Sequence, residues 1–372
     1  MRVILTVYGT KGYSGLPKYF YFLAKHLALN HIDVEIIVDS SDAHRKLYEV
    51  IPKNLGVPLP KLKVIGPAVT GMVSKALFSY NISRYLKGKD FDILHSCDVL
   101  PYFYLRQKNR KPVVFQPFGN ELFQTRGRDI RRLFYFVLRS CGQKADALAI
   151  EGERQLEWTI RNYRVTKDKT FILPVCIDID CARDMAGQRD VMRKQMDIPE
   201  DAFVVLSVNI LIPHKGINYL IKALQDVPNA LLIIVSSGPE ESNLRRLVAE
   251  LGLQNQVIFT GRVPEKTLYN YYAVADVFVS PTLLDAPSMG ILEAEVFGLP
   301  IVCTHQEFLI DGNGYVVPEK NPGAIAEAIL KVRSGDRVKM GERSKEIVKQ
   351  YDFKEIAKTA IAKYKELLRS KI

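Results

Sequence analysis

Short runs of β-branched and other apolar residues alternate with helical patterns along this chain, and the alternation is run through twice. In the first half, Val3–Val7, Val34–Val38, Asp92–His95, Val113–Gln116 and Ala147–Ile150 read as buried strands. Between them, 15–29, 73–87 and 128–141 carry apolar residues at helical spacing, as in Leu16, Tyr19, Phe20, Leu23 and Leu27. The second half repeats the rhythm, with strands expected at 203–208, 231–235, 257–260, 277–279 and 300–303 and helices at 216–226, 241–251, 265–274 and 290–298. A continuously apolar strand needs cover on both faces, which points to βαβ units and a parallel sheet. The expected fold class is therefore α/β, with two Rossmann-like doubly wound domains facing across a cleft and a helical C-terminal tail. The joint is expected within 174–200, where Pro174, IDID and CARDMAGQRD break the apolar rhythm. Beyond 322 only helical patterns remain, at 322–333, 337–350 and 354–369.

Composition closes off other classes. With 372 residues, 47% hydrophobic and 25% charged, the chain has room for two domains and is neither disordered nor fibrous. Its longest apolar runs are strand-sized, whereas a membrane span needs about 20 residues. The opening MRVILTVYGTKGYSG has too short an apolar run for a secretory signal. Cys97, Cys141, Cys176, Cys181 and Cys303 are odd in number and scattered, which reads as free thiols in a reducing compartment and a cytoplasmic protein. The net charge of +11 is lopsided: residues 1–182 hold 28 Lys and Arg against 17 Asp and Glu, and residues 183–372 hold 24 against 24. Such asymmetry suits an anionic partner, or a plain solvated face.

The chain carries no phosphate-binding P-loop, zincin or nucleophile-elbow motif. D-x-D occurs at Asp90/Asp92 and Asp178/Asp180, too short a pattern to argue for a metal. Three clusters carry more weight. Gly12-Tyr-Ser-Gly15 follows the first strand and opens a helix, where backbone N–H groups can approach an anion. In the second half, Lys215-Gly216 stands at the start of a helix after strand 203–208, a position that favours a phosphate. Finally, the block 280–302 ends a strand in a polar loop and runs into a helix, with Asp285 and Glu293 eight positions apart. Two such carboxylates can accept hydrogen bonds from hydroxyl groups on either side of a phosphate.

Together these residues resemble glycosyltransferase family 4, a group of retaining, nucleotide-sugar-dependent enzymes with the GT-B fold. The likeness runs through the opening glycine loop, FDILHS, PVVFQPFGNE, FILPVCID, SVNILIPHKGINYLIKAL, the GPEESNLRRLVAELGLQNQVIFTGRVP stretch, the Asp285–Glu293 block and DGNGYVVP. It implies an acceptor-side domain over 1–176, with a last helix at about 354–372 packing back on it, and a nucleotide-sugar domain over 177–353. By the same resemblance Lys215 neutralises the donor diphosphate, Glu293 binds ribose hydroxyls and Asp285 touches the sugar; these three are the catalytic candidates. Gly15, Arg262, Val263, Ser288, Met289 and Gly290 complete the donor side, with Gly261 beside Arg262 in the loop against the base. Phe118, Gly119, Asn120 and Glu121 are expected on the acceptor side. No cofactor and no obligatory metal are implied; the donor is expected to be a UDP- or GDP-linked sugar. The chain departs from the pattern where the family often has an Arg before the lysine (here Asn209 and Ile210) and where it usually has a His (here Phe118).

The segment 126–139 reads as a basic amphipathic helix. Arg128, Arg131, Arg132, Tyr135 and Arg139 share one face, and Ile130, Leu133, Phe134 and Val137 the other. It suits either an anionic membrane surface or an ordinary Rossmann helix with a solvated basic face. The reading is a glycosyltransferase acting on a lipid-linked or surface-glycan acceptor, cytoplasmic and peripheral on the inner face of the cell membrane. Alternatives are a soluble enzyme with a small phosphorylated acceptor and a binding-only scaffold. Nucleic acid is not expected, since aromatic and basic residues do not interleave as in the common RNA modules.

Overall fold

The computed structural model describes residues 1–8, 15–40, 60–66, 68–69, 72–97, 100–117, 130–283, 288–305 and 310–370. The chain divides into two compact units: unit 1 is Met1–Val175 with Phe353–Ile372, and unit 2 is Cys176–Asp352.

Unit 1 begins with β1 (Arg2–Thr6), α1 (Gly15–Leu29), β2 (Asp33–Val38), β3 (Lys61–Val64), α2 (Met72–Tyr85) and β4 (Ile93–Cys97). It continues with β5 (Val113–Gln116), α3 (Ile130–Lys144), β6 (Ala147–Ile150), α4 (Leu156–Tyr163) and β7 (Thr170–Ile172). The strands form a parallel sheet in the order β3-β2-β1-β4-β5-β6-β7. The order in which strands are added reverses between β1 and β4. Asp92, one of the D-x-D pair, accepts from the Arg2 backbone N–H at 2.7 Å and so ties the starts of these two strands together.

Unit 2 runs through α5 (Ile179–Met185), α6 (Arg189–Gln195), β8 (Phe203–Val208), α7 (Ile217–Ala223), β9 (Ala230–Val235), α8 (Glu241–Glu250) and β10 (Val257–Gly261). Then come α9 (Glu265–Val274), β11 (Val277–Ser280), α10 (Met289–Val296), β12 (Ile301–Cys303), β13 (Gly314–Val316), α11 (Pro322–Ser334) and α12 (Arg337–Ile347). This sheet is also parallel, in the order β10-β9-β8-β11-β12-β13, and its strand order reverses between β8 and β11. Val205, Leu232, Ile234, Val279 and Val302 on the sheet are buried against Leu220 and Ile221 of α7 and Ile325 and Ile329 of α11. Burying each such side chain contributes about 1.5–3 kcal/mol.

The polar stretch between the sheets is not a linker without structure, since it folds as α5 and α6. Asp178 accepts from the Cys181 N–H at 3.0 Å and caps α5. Arg189 and Arg193 bond the carbonyls of Ala275 and Ala202 and share the carboxylate of Asp276. Polar residues there serve as caps and ion pairs, which explains why the apolar rhythm fails.

The last helix, α13 (Phe353–Arg369), belongs to unit 1 and packs on α1. Phe353 meets the rings of Tyr19, Phe22 and His26 at centroid distances of 5.4, 5.6 and 5.9 Å. Deeper in, His95 of β4 is fully buried, with Nε2 3.0 Å from Gln116 Oε1 and Nδ1 2.6 Å from the Tyr364 hydroxyl. An amide oxygen only accepts, so Nε2 carries the proton and Nδ1 accepts from Tyr364. Burial lowers the His95 pKa to about 3, which keeps the ring neutral.

Candidate functional site

In open parallel sheets, loops beyond the carboxyl ends of the strands diverge where the strand order reverses, and the crevice they leave is where ligands bind. In unit 2 that place lies beyond β8 and β11. After β8 the chain makes one 3₁₀ turn over Pro213–Lys215 and reverses at Gly216, whose φ is +66°. A Cβ on Gly216 would stand 1.9 Å from the Pro281 carbonyl oxygen, so only glycine lets the two loops approach this closely. Leu283 N–H and the Thr282 hydroxyl both donate to His214 O, at 2.8 and 3.3 Å. One layer below, the Ser207 hydroxyl donates to Val279 O at 2.8 Å. Lys215, half-buried, is thereby held on a turn locked to the β11 loop.

On the other side of this crevice α10 begins. Ser288 stands at its N-cap, and Met289 and Gly290 open its first turn, where backbone N–H groups lack helical acceptors. A Cβ on Gly290 would lie 3.1 Å from Phe278 Cζ and 3.4 Å from Val208 O, so the helix start presses against the β8 end of the sheet.

Glu293 is only 4% exposed. The Tyr272 hydroxyl donates to its Oε2 at 2.9 Å and lies 3.3 Å from Gly290 O. Burial and the neighbouring Glu293 charge push the Tyr272 pKa well up, so the phenol stays a donor. Its ring is stacked on Phe297 at 5.8 Å.

Arg262 and Val263 follow β10, two strands from β8. Arg262 is exposed, with Nε donating to Ser237 Oγ at 3.0 Å. Ser237 O accepts from Leu211 N, and Leu211 O from Glu240 N. A continuous bonded rim therefore runs from Arg262 through Ser237 and Leu211 to the turn holding Lys215. Lys215, Arg262 and Val263, and Ser288, Met289 and Gly290 follow the carboxyl ends of β8, β10 and β11 respectively, and Glu293 lies one turn into α10. Gly15 opens α1 after β1, at the corresponding reversal point of unit 1. Asp285, Phe118, Gly119, Asn120 and Glu121 lie outside the described residues, as does the Gly12-Tyr-Ser stretch.

Tyr272 and Ser237 were not singled out from the sequence. Tyr272 sits among three tyrosines of α9, and nothing in their spacing distinguishes the one that meets Glu293. Glu295, two residues on, is fully buried. Its Oε1 accepts from Asn313 Nδ2 at 3.2 Å, and its Oε2 has no partner among the described residues. Burial raises its pKa to about 9, against a small lowering by Asn313.

Of the basic helix expected over 126–139, residues 126–129 and the side chains of 130–134 lie outside the described residues. Arg139 departs from it: the residue is half-buried, and its Nη2 is enclosed without a partner among the described residues. Phe136 is 61% exposed instead.

Residues 188–350 match the family model of glycosyl transferases group 1, and residues 13–180 that of glycosyltransferase family 4. Among curated proteins, a GDP-mannose-dependent alpha-(1-6)-phosphatidylinositol monomannoside mannosyltransferase of Mycolicibacterium smegmatis is 34% identical over 173 residues, 42% of this chain and 45% of that protein. The lipopolysaccharide core biosynthesis glycosyltransferase LpsE of Rhizobium meliloti is 32% identical over 189 residues, 49% of this chain and 54% of that protein. The chain spans about half the length of the curated relatives it matches. Among solved structures, sucrose-phosphate synthase from Thermosynechococcus elongatus superposes with a TM-score of 0.79 at 21% identity over 99% of both chains. Anabaena HepE in complex with UDP-glucose gives 0.76 at 17% identity over 100% of both. These likenesses concern the fold.

Proposed function

The chain belongs to family 4 of the glycosyltransferases and has the GT-B fold, and from that premise we propose that it is a retaining hexosyltransferase using a UDP- or GDP-linked sugar. The observation that carries this reading is the locked pair of loops beyond β8 and β11, which fixes the turn bearing Lys215, together with the start of α10 pressed against the β8 end of the same sheet. Cleaving the bond between the anomeric carbon and the diphosphate oxygen builds negative charge on the leaving group. A preorganised cation and a row of N–H groups meet that charge without reorganising, which is the main electrostatic lever for such a step. In this reading Lys215 and the N–H groups of Ser288, Met289 and Gly290 receive the diphosphate, and no metal ion is required. Glu293 takes the ribose hydroxyls, Asp285 the sugar, and Arg262 and Val263 the base side. Front-face departure and attack then retain configuration without a protein nucleophile. The acceptor is lipid-linked or a surface glycan, bound on the side of Phe118, Gly119, Asn120 and Glu121, with the protein peripheral on the inner face of the membrane. The relatives named for phosphatidylinositol monomannoside and lipopolysaccharide core support this choice.

A panel of UDP- and GDP-sugars, read by thermal shift and by hydrolysis, should single out one donor. With it, Lys215→Ala should lower kcat by about 10²-fold, about 2.7 kcal/mol of leaving-group stabilisation. A near-normal kcat at saturating donor would remove Lys215 from this role.

A further inference from the structure

The excess positive charge of the first half is not accounted for by the donor site, which lies in unit 2. At the N-terminal edge of the first sheet two tight turns face each other. One, 86–89, follows α2 and reverses at Gly88 with φ +75°; the other, 107–111, follows a 3₁₀ turn and reverses at Asn109 with φ +54°. Gln107 Nε2 donates to Ser83 O and Oγ at 2.8 and 2.7 Å, and the Lys111 N–H donates to the Tyr104 hydroxyl at 2.9 Å. These bonds fix the turns on either side of a cavity of about 510 Å³. Its floor is apolar: Leu86, Phe91 and Tyr104 are buried, with the two rings 6.1 Å apart.

The walls carry five cations, Lys87, Lys89, Lys108, Arg110 and Lys111, and no carboxylate. Two of the five have internal partners: Lys89 pairs with Glu35 at 2.6 Å and Arg110 with Asp146 at 2.5 Å. Lys87, Lys108 and Lys111 are exposed and make no ion pair among the described residues. Like charges converging on one concavity repel one another, and a low-dielectric floor strengthens the field they raise; an anion placed there removes the cost. Lysine, a compact point charge with three donors, suits phosphate oxygens.

We propose that this cavity is a second anion site, separate from the donor site, that takes a phosphate group on Lys87, Lys108 and Lys111 and lays the substituent of that phosphate over Phe91 and Tyr104. A phospholipid headgroup and a soluble phosphate ester share this chemistry. The helix leading into the cavity bears on the first source. On α2, Val73, Leu77 and Tyr80 stand at i, i+4 and i+7 and are 76, 52 and 46% exposed, an apolar stripe on the helix that runs toward the basic pocket.

The test compares the wild type with a variant carrying Lys87→Gln, Lys108→Gln and Lys111→Gln together, all three exposed and outside the donor site. Each is titrated with pyrophosphate by calorimetry, with the donor site held saturated by nucleoside diphosphate, and sedimented with phosphatidylcholine vesicles containing or lacking phosphatidic acid. We expect wild-type binding to one of the two probes and at least a ten-fold loss in the variant, with unchanged melting temperature and nucleotide affinity. Loss confined to vesicles assigns the site to a lipid headgroup, and loss confined to pyrophosphate to a soluble ester. Leu77→Ser should weaken the vesicle arm alone if the lipid is the source. A wild type that binds neither probe at low salt, or a variant that binds both as the wild type does, overturns the proposal.

Discussion

Glu293 and Glu295 stand two residues apart on one helix, both buried, and their surroundings separate them. Glu293 receives a phenol held as a donor by its own burial, whereas Glu295 receives one amide and leaves Oε2 without a partner among the described residues. With a folded pKa of about 9 against 4.5 unfolded, Glu295 keeps its proton in the native state after the unfolded chain has lost it. Its contribution is therefore full below pH 4.5 and is lost as pH rises through the window to about 9, at a slope of order 1 kcal/mol per pH unit. Glu295→Gln, which mimics the protonated acid, should flatten the fall in urea stability between pH 6 and pH 8. Parallel falls in variant and wild type would mean that another group titrates there. At this scale the sequence singles out residues that sit in a motif with fixed spacing, as Lys215 and Glu293 do. It was silent on Tyr272, because a partner chosen across 21 positions depends on how α9 and α10 pack and leaves no local pattern.

Among the elements, the central strands were readable because both of their faces are covered, which forces runs such as Val204–Leu206 to be continuously apolar. Edge strands obey other demands. In β3, Lys61-Leu-Lys-Val64, every residue is exposed, and lysines on an edge discourage pairing with another chain. Its composition looks like a loop, and it was missed for that reason; β7 and β13, three residues each, were missed as well. The turn over Pro213–Lys215 shows the opposite case, an irregular element with no freedom to change. Gly216→Ala would face a backbone carbonyl rather than a movable side chain, in a conformation that L residues rarely adopt. We expect a loss of about 1–3 kcal/mol in unfolding free energy. A larger proportional loss of kcat than of nucleotide affinity should accompany it, since Lys215 moves with the turn. Unaltered turnover in a folded Gly216→Ala protein would show that the loop geometry does not position the lysine.

At the scale of the whole molecule, the chain leaves unit 1 at Val175, builds unit 2 without interruption, and returns at Phe353. The returning helix covers Tyr19 and Phe22 and supplies the hydroxyl that bonds His95. Deleting residues 353–372 should therefore unfold or loosen unit 1 while unit 2 keeps its nucleotide affinity. Limited proteolysis should then leave a resistant core near residues 176–352, and equal resistance of both halves would contradict the assignment. This threading also sets an order of events during synthesis. Unit 2 is contiguous and can close as soon as residue 352 has emerged, whereas unit 1, although translated first, stays open on its α1 face for a further seventeen codons, Phe353–Arg369. The half made first is thus the half finished last, and for that interval its aromatic surface is available to chaperones and to neighbouring chains.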